Sequence, residues 1–183
     1  MVEMQGAGLE RIAPLFSGWD ETLIWSVLQG CMGKAWADNE DNPSAALLWM
    51  GDFLFLAGDW KCPAAKELAG YIPEGFYVEE AIVIPQNRHW QELVEEAHKG
   101  RVEVISRFAI CKEPHVFDRA KLEAFRDSLP QEFTLKAIDP ELYKVILQTP
   151  WAWDLCGRFP TWEDFAAHGH GFVALHGDEL AAG

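Results

Sequence analysis

Apolar positions crowd most densely between Gly30 and Asp59, in the run GCMGKAWADNEDNPSAALLWMGDFLFLAGD. Its pattern predicts three short strands in succession. Lys34–Asp38 is the first, with Ala35 and Ala37 on one face and Trp36 on the other. The Asn39-Glu-Asp-Asn-Pro43 cluster that follows is turn chemistry. Ser44–Met50 is the second strand and Phe53–Ala57 the third. Between them Gly51-Asp52 suits a tight hairpin, because glycine reaches positive φ without a steric cost. A meander this apolar belongs in the middle of a sheet covered on at least one face.

Helical spacing dominates ahead of it. Leu9, Ile12, Ala13, Leu15 and Phe16 predict a helix over Ala7–Phe16 that Pro14 bends or ends. Asp20 is the expected N-cap of a second helix over Glu21–Gln29, with Leu23, Ile24, Val27 and Leu28 inward and Gly30 as its stop.

Behind the meander, helix and strand alternate. Cys62–Gly70 reads as a short helix with proline in its first turn, and Ala81–Pro85 as a fourth strand. Asn87 caps a helix over His89–Lys99 that turns Trp90, Leu93, Val94 and Ala97 inward. The alternation of Arg101–Cys111 predicts a long fifth strand. Asp118–Leu129 is an amphipathic helix, Phe133–Ile138 a sixth strand, and Asp139 caps a helix over Glu141–Gln148. This order predicts an α+β fold with a mixed, mostly antiparallel sheet flanked by helices.

The character changes at Thr149. The run to Thr161 is aromatic and lacks a regular period, so a boundary is expected there, separating residues 1–148 from 149–183. Thr161 then caps a helical turn with Asp164 three residues on. Gly171–His176 is a strand, Gly177-Asp178 a turn, and Glu179–Gly183 the start of a returning strand. A last strand with an open edge is an aggregation liability. The expectation is therefore the front of a longer protein. In the competing reading, that strand pairs within the chain or with a second copy in a homodimer.

Composition narrows the function classes. The 183 residues are 49% hydrophobic and include nine tryptophans, ample for a packed core. A formal charge of −14 leaves no positive footprint for nucleic acid and favours cationic partners such as amines. No apolar run reaches the length of a membrane helix. Cys31, Cys62, Cys111 and Cys156 form no CxxC pair, which fits buried free thiols in a reducing, cytoplasmic setting rather than a metal site.

Several constellations offer chemistry. Asp38, Glu40 and Asp41 are oxygen donors, but they sit in ordinary turn composition. His168, His170 and His176 lack a third ligand at metal spacing; a histidine of this cluster could act as a general base in a substrate groove, and His170 is a substrate-binding candidate. Trp151, Trp153 and Trp162, with Asp154, form an aromatic and acidic segment in which an indole face and a carboxylate could receive an amine. The bland alternative is that these tryptophans only pin the linker. Cys62 opens a helix but has no base located near it, and Ser44 lacks a G-x-S-x-G context.

The segments VLQGCMGKAWADNEDNPSAALLWMGDFLFLAGD at 27–59 and FPTWEDFAAHGHGFVALHGDELAAG at 159–183, with the order of elements, resemble the GNAT N-acetyltransferases, in particular the zwittermicin-resistance-like branch. The resemblance implies acetyl transfer from acetyl-CoA to an amine. It places the cofactor's pyrophosphate on a Q/R-x-x-G-x-G/A loop between the last meander strand and the next helix, where free backbone N–H groups attract an anion. The equivalent segment here, Gly58-Asp-Trp-Lys-Cys-Pro-Ala64, lacks the glycine pair and carries Asp59, Trp60 and Pro63. The resemblance therefore implies a degenerate first domain, with the working loop of relatives lying beyond residue 183.

Overall fold

The computed structural model describes residues 1–75, 80–108, 113 and 115–183. The chain divides into two compact units, Met1–Val102 with Arg158–Pro160, and Glu103–Gly157 with Thr161–Gly183. The contacts thus divide at residue 102, ahead of the boundary expected near Thr149.

The first unit opens with β1 (Val2–Met4), a strand of three residues that the sequence reading did not anticipate. Helix α1 (Ala7–Ile12) runs into a 3-10 turn, Ala13–Phe16, where Pro14 tightens the chain. Helix α2 (Thr22–Leu28) follows. Its cap is Glu21 rather than Asp20. Glu21 holds the extended backbone of a cap residue, and its carboxylate accepts from the Leu23 N–H. Strands β2 (Lys34–Ala37), β3 (Ala45–Met50) and β4 (Phe53–Gly58) form the expected meander. Then come α3 (Ala65–Gly70), β5 (Ile82–Pro85) and α4 (Arg88–Ala97). Asn87 caps α4 by accepting from the His89 and Trp90 N–H groups.

The strands lie in the order β1-β2-β3-β4-β5. The first three pairings are antiparallel and β4/β5 is parallel, so the sheet is mixed and mostly antiparallel, as expected. Side chains alternate between its faces. Ala35, Ala37, Leu48 and Phe55 pack with Ile12, Ile24 and Val27 beneath α1 and α2. Trp36, Leu47, Leu54 and Leu56 pack with Leu68, Trp90 and Val94 beneath α3 and α4. Both faces are covered, which explains why β3 is apolar at nearly every position. At the end of α4, His98 rather than Ala97 is buried, its Nε2 3.1 Å from the Ala69 carbonyl.

The predicted fifth strand is corrected. From Val102 to Phe108 the chain has no regular structure, and Val104, Ile105 and Phe108 are exposed. Alternation alone supplies no ladder; a strand needs a neighbour on which to spend its backbone groups. Ala109–Cys111, including the predicted buried thiol of Cys111, lie outside the described residues.

The second unit contains α5 (Arg119–Asp127), β6 (Phe133–Ala137), α6 (Pro140–Gln148), a 3-10 turn at Trp153–Leu155, α7 (Trp162–His168), β7 (Phe172–His176) and β8 (Glu179–Ala182). Strand β6 does not extend the first sheet. It pairs antiparallel with β7, which pairs with β8. The predicted caps Asp118, Asp139 and Thr161 each accept from a backbone N–H of their helix. The core of this unit gathers Ile138, Leu142, Ile146, Phe165 and Val173.

Trp90 is fully buried and donates from its indole nitrogen to the Gly58 carbonyl at 3.0 Å. Trp90→Phe, which removes only that donor and part of the ring system, is expected to lose about 1–3 kcal/mol. Trp90→Ala is expected to lose about 3–5 kcal/mol. Urea midpoints at unchanged slope would check both values.

Candidate functional site

In a parallel strand pair, the ends of the strands and the turn that leaves them are where ligands collect. Here that place is the end of β4, the end of β5 and the loop from Gly58 to Ala64. Four of the loop's backbone donors have internal partners. The Gly58 N–H donates to Gln86 Oε1 at 3.0 Å, and the Asp59 N–H to the Ser44 carbonyl at 2.8 Å. The Lys61 N–H goes to the Asp59 carboxylate at 2.9 Å and the Cys62 N–H to the Asp59 carbonyl at 3.2 Å. Pro63 has no N–H to give. The helix that follows has only six residues.

The side chains point the same way. The Trp60 ring stacks on His89 with centroids 4.1 Å apart, and the Lys61 ammonium sits 4.9 Å from the indole centroid. The Asp59 carboxylate adds a negative charge where an anion would have to lie. A pyrophosphate needs several convergent free N–H groups, and this loop does not fit one.

The loop is tied to the turn between β2 and β3. Asp38 accepts from the Ser44 hydroxyl at 2.6 Å, the Ser44 N–H at 2.8 Å and the Ala45 N–H at 3.0 Å. Burial pushes this carboxyl up, but the three hydrogen bonds outweigh it and hold Asp38 below its ordinary range. Asn39 Oδ1 accepts from the N–H groups of Asp41 and Asn42. The acidic cluster thus builds a turn. Burial raises the Cys62 thiol, which keeps it protonated.

The five sequence candidates all fall in the second unit. Trp151 is exposed. Trp153 and Asp154 stand together on one 3-10 turn, with Gly157 tucked against the indole. Trp162 opens α7, half-buried. It lies edge-on to Tyr143 of α6 at 5.8 Å and 5.7 Å from Phe165, so its indole is part of the α6–α7 packing. His170 is exposed and edge-on to Phe172 at 5.4 Å. Trp162 and His170 stand at opposite ends of α7, roughly 10 Å of helix apart. His176 faces Glu179 across the hairpin. Among the described residues, no three His, Cys, Asp or Glu side chains converge as metal ligands.

Two features had no sequence signal. One is Gln86, which reads as an ordinary polar residue between a strand and a helix cap. The other is a groove of about 310 Å³ lined by Glu3, Met4, Leu9, Val27 and Lys34 among others. Its residues lie where Lys34 meets Trp49, the opposite end of the meander from the Ala45–Gly58 pairing, so the groove is separate from the loop.

Comparison with known proteins adds to this geometry. The model of the GNAT acetyltransferase family matches residues 13–183. The chain is similar to a GCN5-related N-acetyltransferase-like protein from Streptococcus suis 89/1591, solved by crystallography at 1.80 Å resolution. The two are 34% identical with a TM-score of 0.73, over 95% of this chain and 68% of that one. No curated protein matches.

The depressed Asp38 carboxyl makes a signed prediction. A group whose folded value lies below its unfolded 3.8 stabilises the fold above that pH and loses the contribution as pH falls through the folded value. Asp38→Asn is therefore expected to be about 1–3 kcal/mol less stable than the parent at neutral pH. The difference should shrink on acidification below pH 3.8, as the parent's carboxylate is itself lost. Paired urea titrations across this range check the sign.

Proposed function

This chain belongs to the GNAT acetyltransferase family, and from that premise we propose that it is the front portion of an N-acetyltransferase whose acetyl-CoA loop lies outside residues 1–183. The reaction class is acetyl transfer from acetyl-CoA to a small amine. The first unit keeps the acyltransferase sheet and serves as a scaffold. The hairpin β7–β8 with α7 is the opening of the catalytic domain, with Trp151, Trp153, Asp154, Trp162 and His170 beside the amine. Within the family we assign the protein to the zwittermicin-resistance-like branch.

The observation that carries this reading is the commitment of the Gly58, Asp59, Lys61 and Cys62 amides to internal partners, with Pro63 lacking an N–H. It separates the fold from the cofactor site. Supporting it, the solved relative has further chain beyond the 68% that matches. The net charge of −14 favours a cationic acceptor. Cys31, Cys62 and Cys156 are buried thiols outside any disulfide, in keeping with a cytoplasmic setting. Among the described residues, no helix is long and apolar enough to cross a membrane.

A second reading, a non-catalytic dimerisation module, is favoured by one observation. The register puts Leu135, Ala137, Phe172 and Ala174 on one face of the second sheet, and Leu135 and Phe172 are exposed there. An apolar face of this kind marks a contact surface. Light scattering decides for this reading if it finds a dimer that Phe172→Glu dissociates, and against it if the chain is monomeric.

Titration calorimetry tests the main proposal. Acetyl-CoA added to the 183-residue chain is expected to give no binding heat up to about 1 mM. A micromolar dissociation constant would overturn the placement of the cofactor loop outside this chain.

A further inference from the structure

The parallel pairing of β4 with β5 runs from Phe53/Ile82 to Leu56/Pro85. Its last main-chain bond is from the Gln86 N–H to the Leu56 carbonyl, at 2.9 Å. Backbone groups alternate sides along a strand, so the next residue of β4 to face β5 is Gly58. Beyond Gln86 the chain turns into α4 under the Asn87 cap, and no main chain is left to meet Gly58. Its N–H and C=O are the two groups of β4 left at the strand end without a main-chain partner from β5.

Both are taken by side chains. Gln86 Oε1 accepts the Gly58 N–H at 3.0 Å, and the Trp90 indole donates to the Gly58 carbonyl at 3.0 Å. The Gln86 amide is itself anchored, since its Nε2 donates to the Leu15 carbonyl at 2.9 Å in the 3-10 turn after α1. A carboxamide is the chemical equivalent of a peptide group, with one acceptor and a donor in a plane. Trp90 belongs to the core, whereas Gln86 is exposed at the crevice mouth.

We propose that Gln86 acts as an internal ligand: its carboxamide completes the β4 ladder where an amide of an incoming acyl carrier would otherwise pair, and so denies this crevice to such a carrier. The inference rests on the reading that the first unit is a scaffold that does not hold acetyl-CoA. It names the residue that takes the Gly58 amide, the first of the loop's committed donors.

Amide hydrogen exchange followed by NMR on the full chain tests it, with pantetheine as the probe. Pantetheine carries the amides of the acetyl-CoA arm but no pyrophosphate, so it reports on the crevice and not on the loop. In the parent the Gly58 amide should be protected and unmoved by pantetheine. In Gln86→Ser it should exchange about ten-fold faster. Pantetheine should shift its resonance and slow its exchange again. Gln86→Glu keeps the acceptor and should keep the protection. Unchanged exchange at Ala46 and Leu48 marks each variant as folded. Three results would each overturn the proposal: equal Gly58 exchange in the parent and Gln86→Ser, no response of Gln86→Ser to pantetheine, or a response at Gly58 in the parent. The separate calorimetry with acetyl-CoA judges the scaffold reading, so the two can fail independently.

Discussion

Gly58 is the point at which the first sheet stops being made of main chain. From Phe53 to Leu56, β4 is matched by β3 on one side and β5 on the other. At Gly58 the antiparallel neighbour persists through Ala45, while the parallel neighbour has already turned away. A buried or half-buried peptide group without a partner costs roughly 1–3 kcal/mol. The chain meets that constraint with two side chains from the following strand–helix junction, and their reach fixes where α4 lies. The residue must also be glycine: its φ is +94°, and a Cβ would run into the Ser44 carbonyl. The carbonyl that forbids a side chain at Gly58 also accepts the Asp59 N–H, so one oxygen sets both the end of the strand and the start of the loop.

From that node the rest of the unit follows. Trp90 can reach Gly58 only if α4 packs across the strands, which carries Val94 onto the sheet face shared by Leu54, Leu56 and Leu68. Asn87 fixes the helix start at one turn's distance from the bond that Trp90 makes. On the other face, Gln86 ties the 3-10 turn of Leu15 to the same strand end, below which Phe16 and Phe55 are buried. The sheet is thus clamped between two helical layers by polar bonds at one corner. Apolar burial supplies the larger stabilisation, at about 25 cal/mol per Å².

This division explains what the sequence could and could not convey. The meander was legible because alternation in a strand buried on both faces leaves a distinctive record, as in Ala35-Trp36-Ala37 and Ala45–Met50. Caps were legible because Asn87, Asp118, Asp139 and Thr161 each use a short-range side-chain bond that needs no tertiary partner. Pairing was not. The run from Arg101 to Phe108 has strand-like alternation but stays without regular structure, and β6 joined β7 and β8 rather than the first sheet. Neither outcome is written locally, since both depend on which edge is free when the chain arrives. The misfit of the loop was visible in Asp59, Trp60 and Pro63. The part of Gln86 was invisible, because its bonds span 28 and 71 residues.

Family membership and cofactor binding are therefore carried by different parts of the structure. The fold is specified by burial on two faces of a sheet, and it is similar to that of the 34% identical relative. A phosphate site is specified by backbone N–H groups left unpaired, which is a local deficit that a protein tolerates only where a ligand fills it. In this unit each such deficit described above is filled from within: Gly58 by Gln86, Asp59 by Ser44, Lys61 and Cys62 by Asp59. Removing the deficit stabilises the loop and removes the reason for a ligand to enter, with no change to the sheet that supports it. On the proposed reading, this unit keeps the packing of its family while the end of the β4–β5 pair serves as a structural joint.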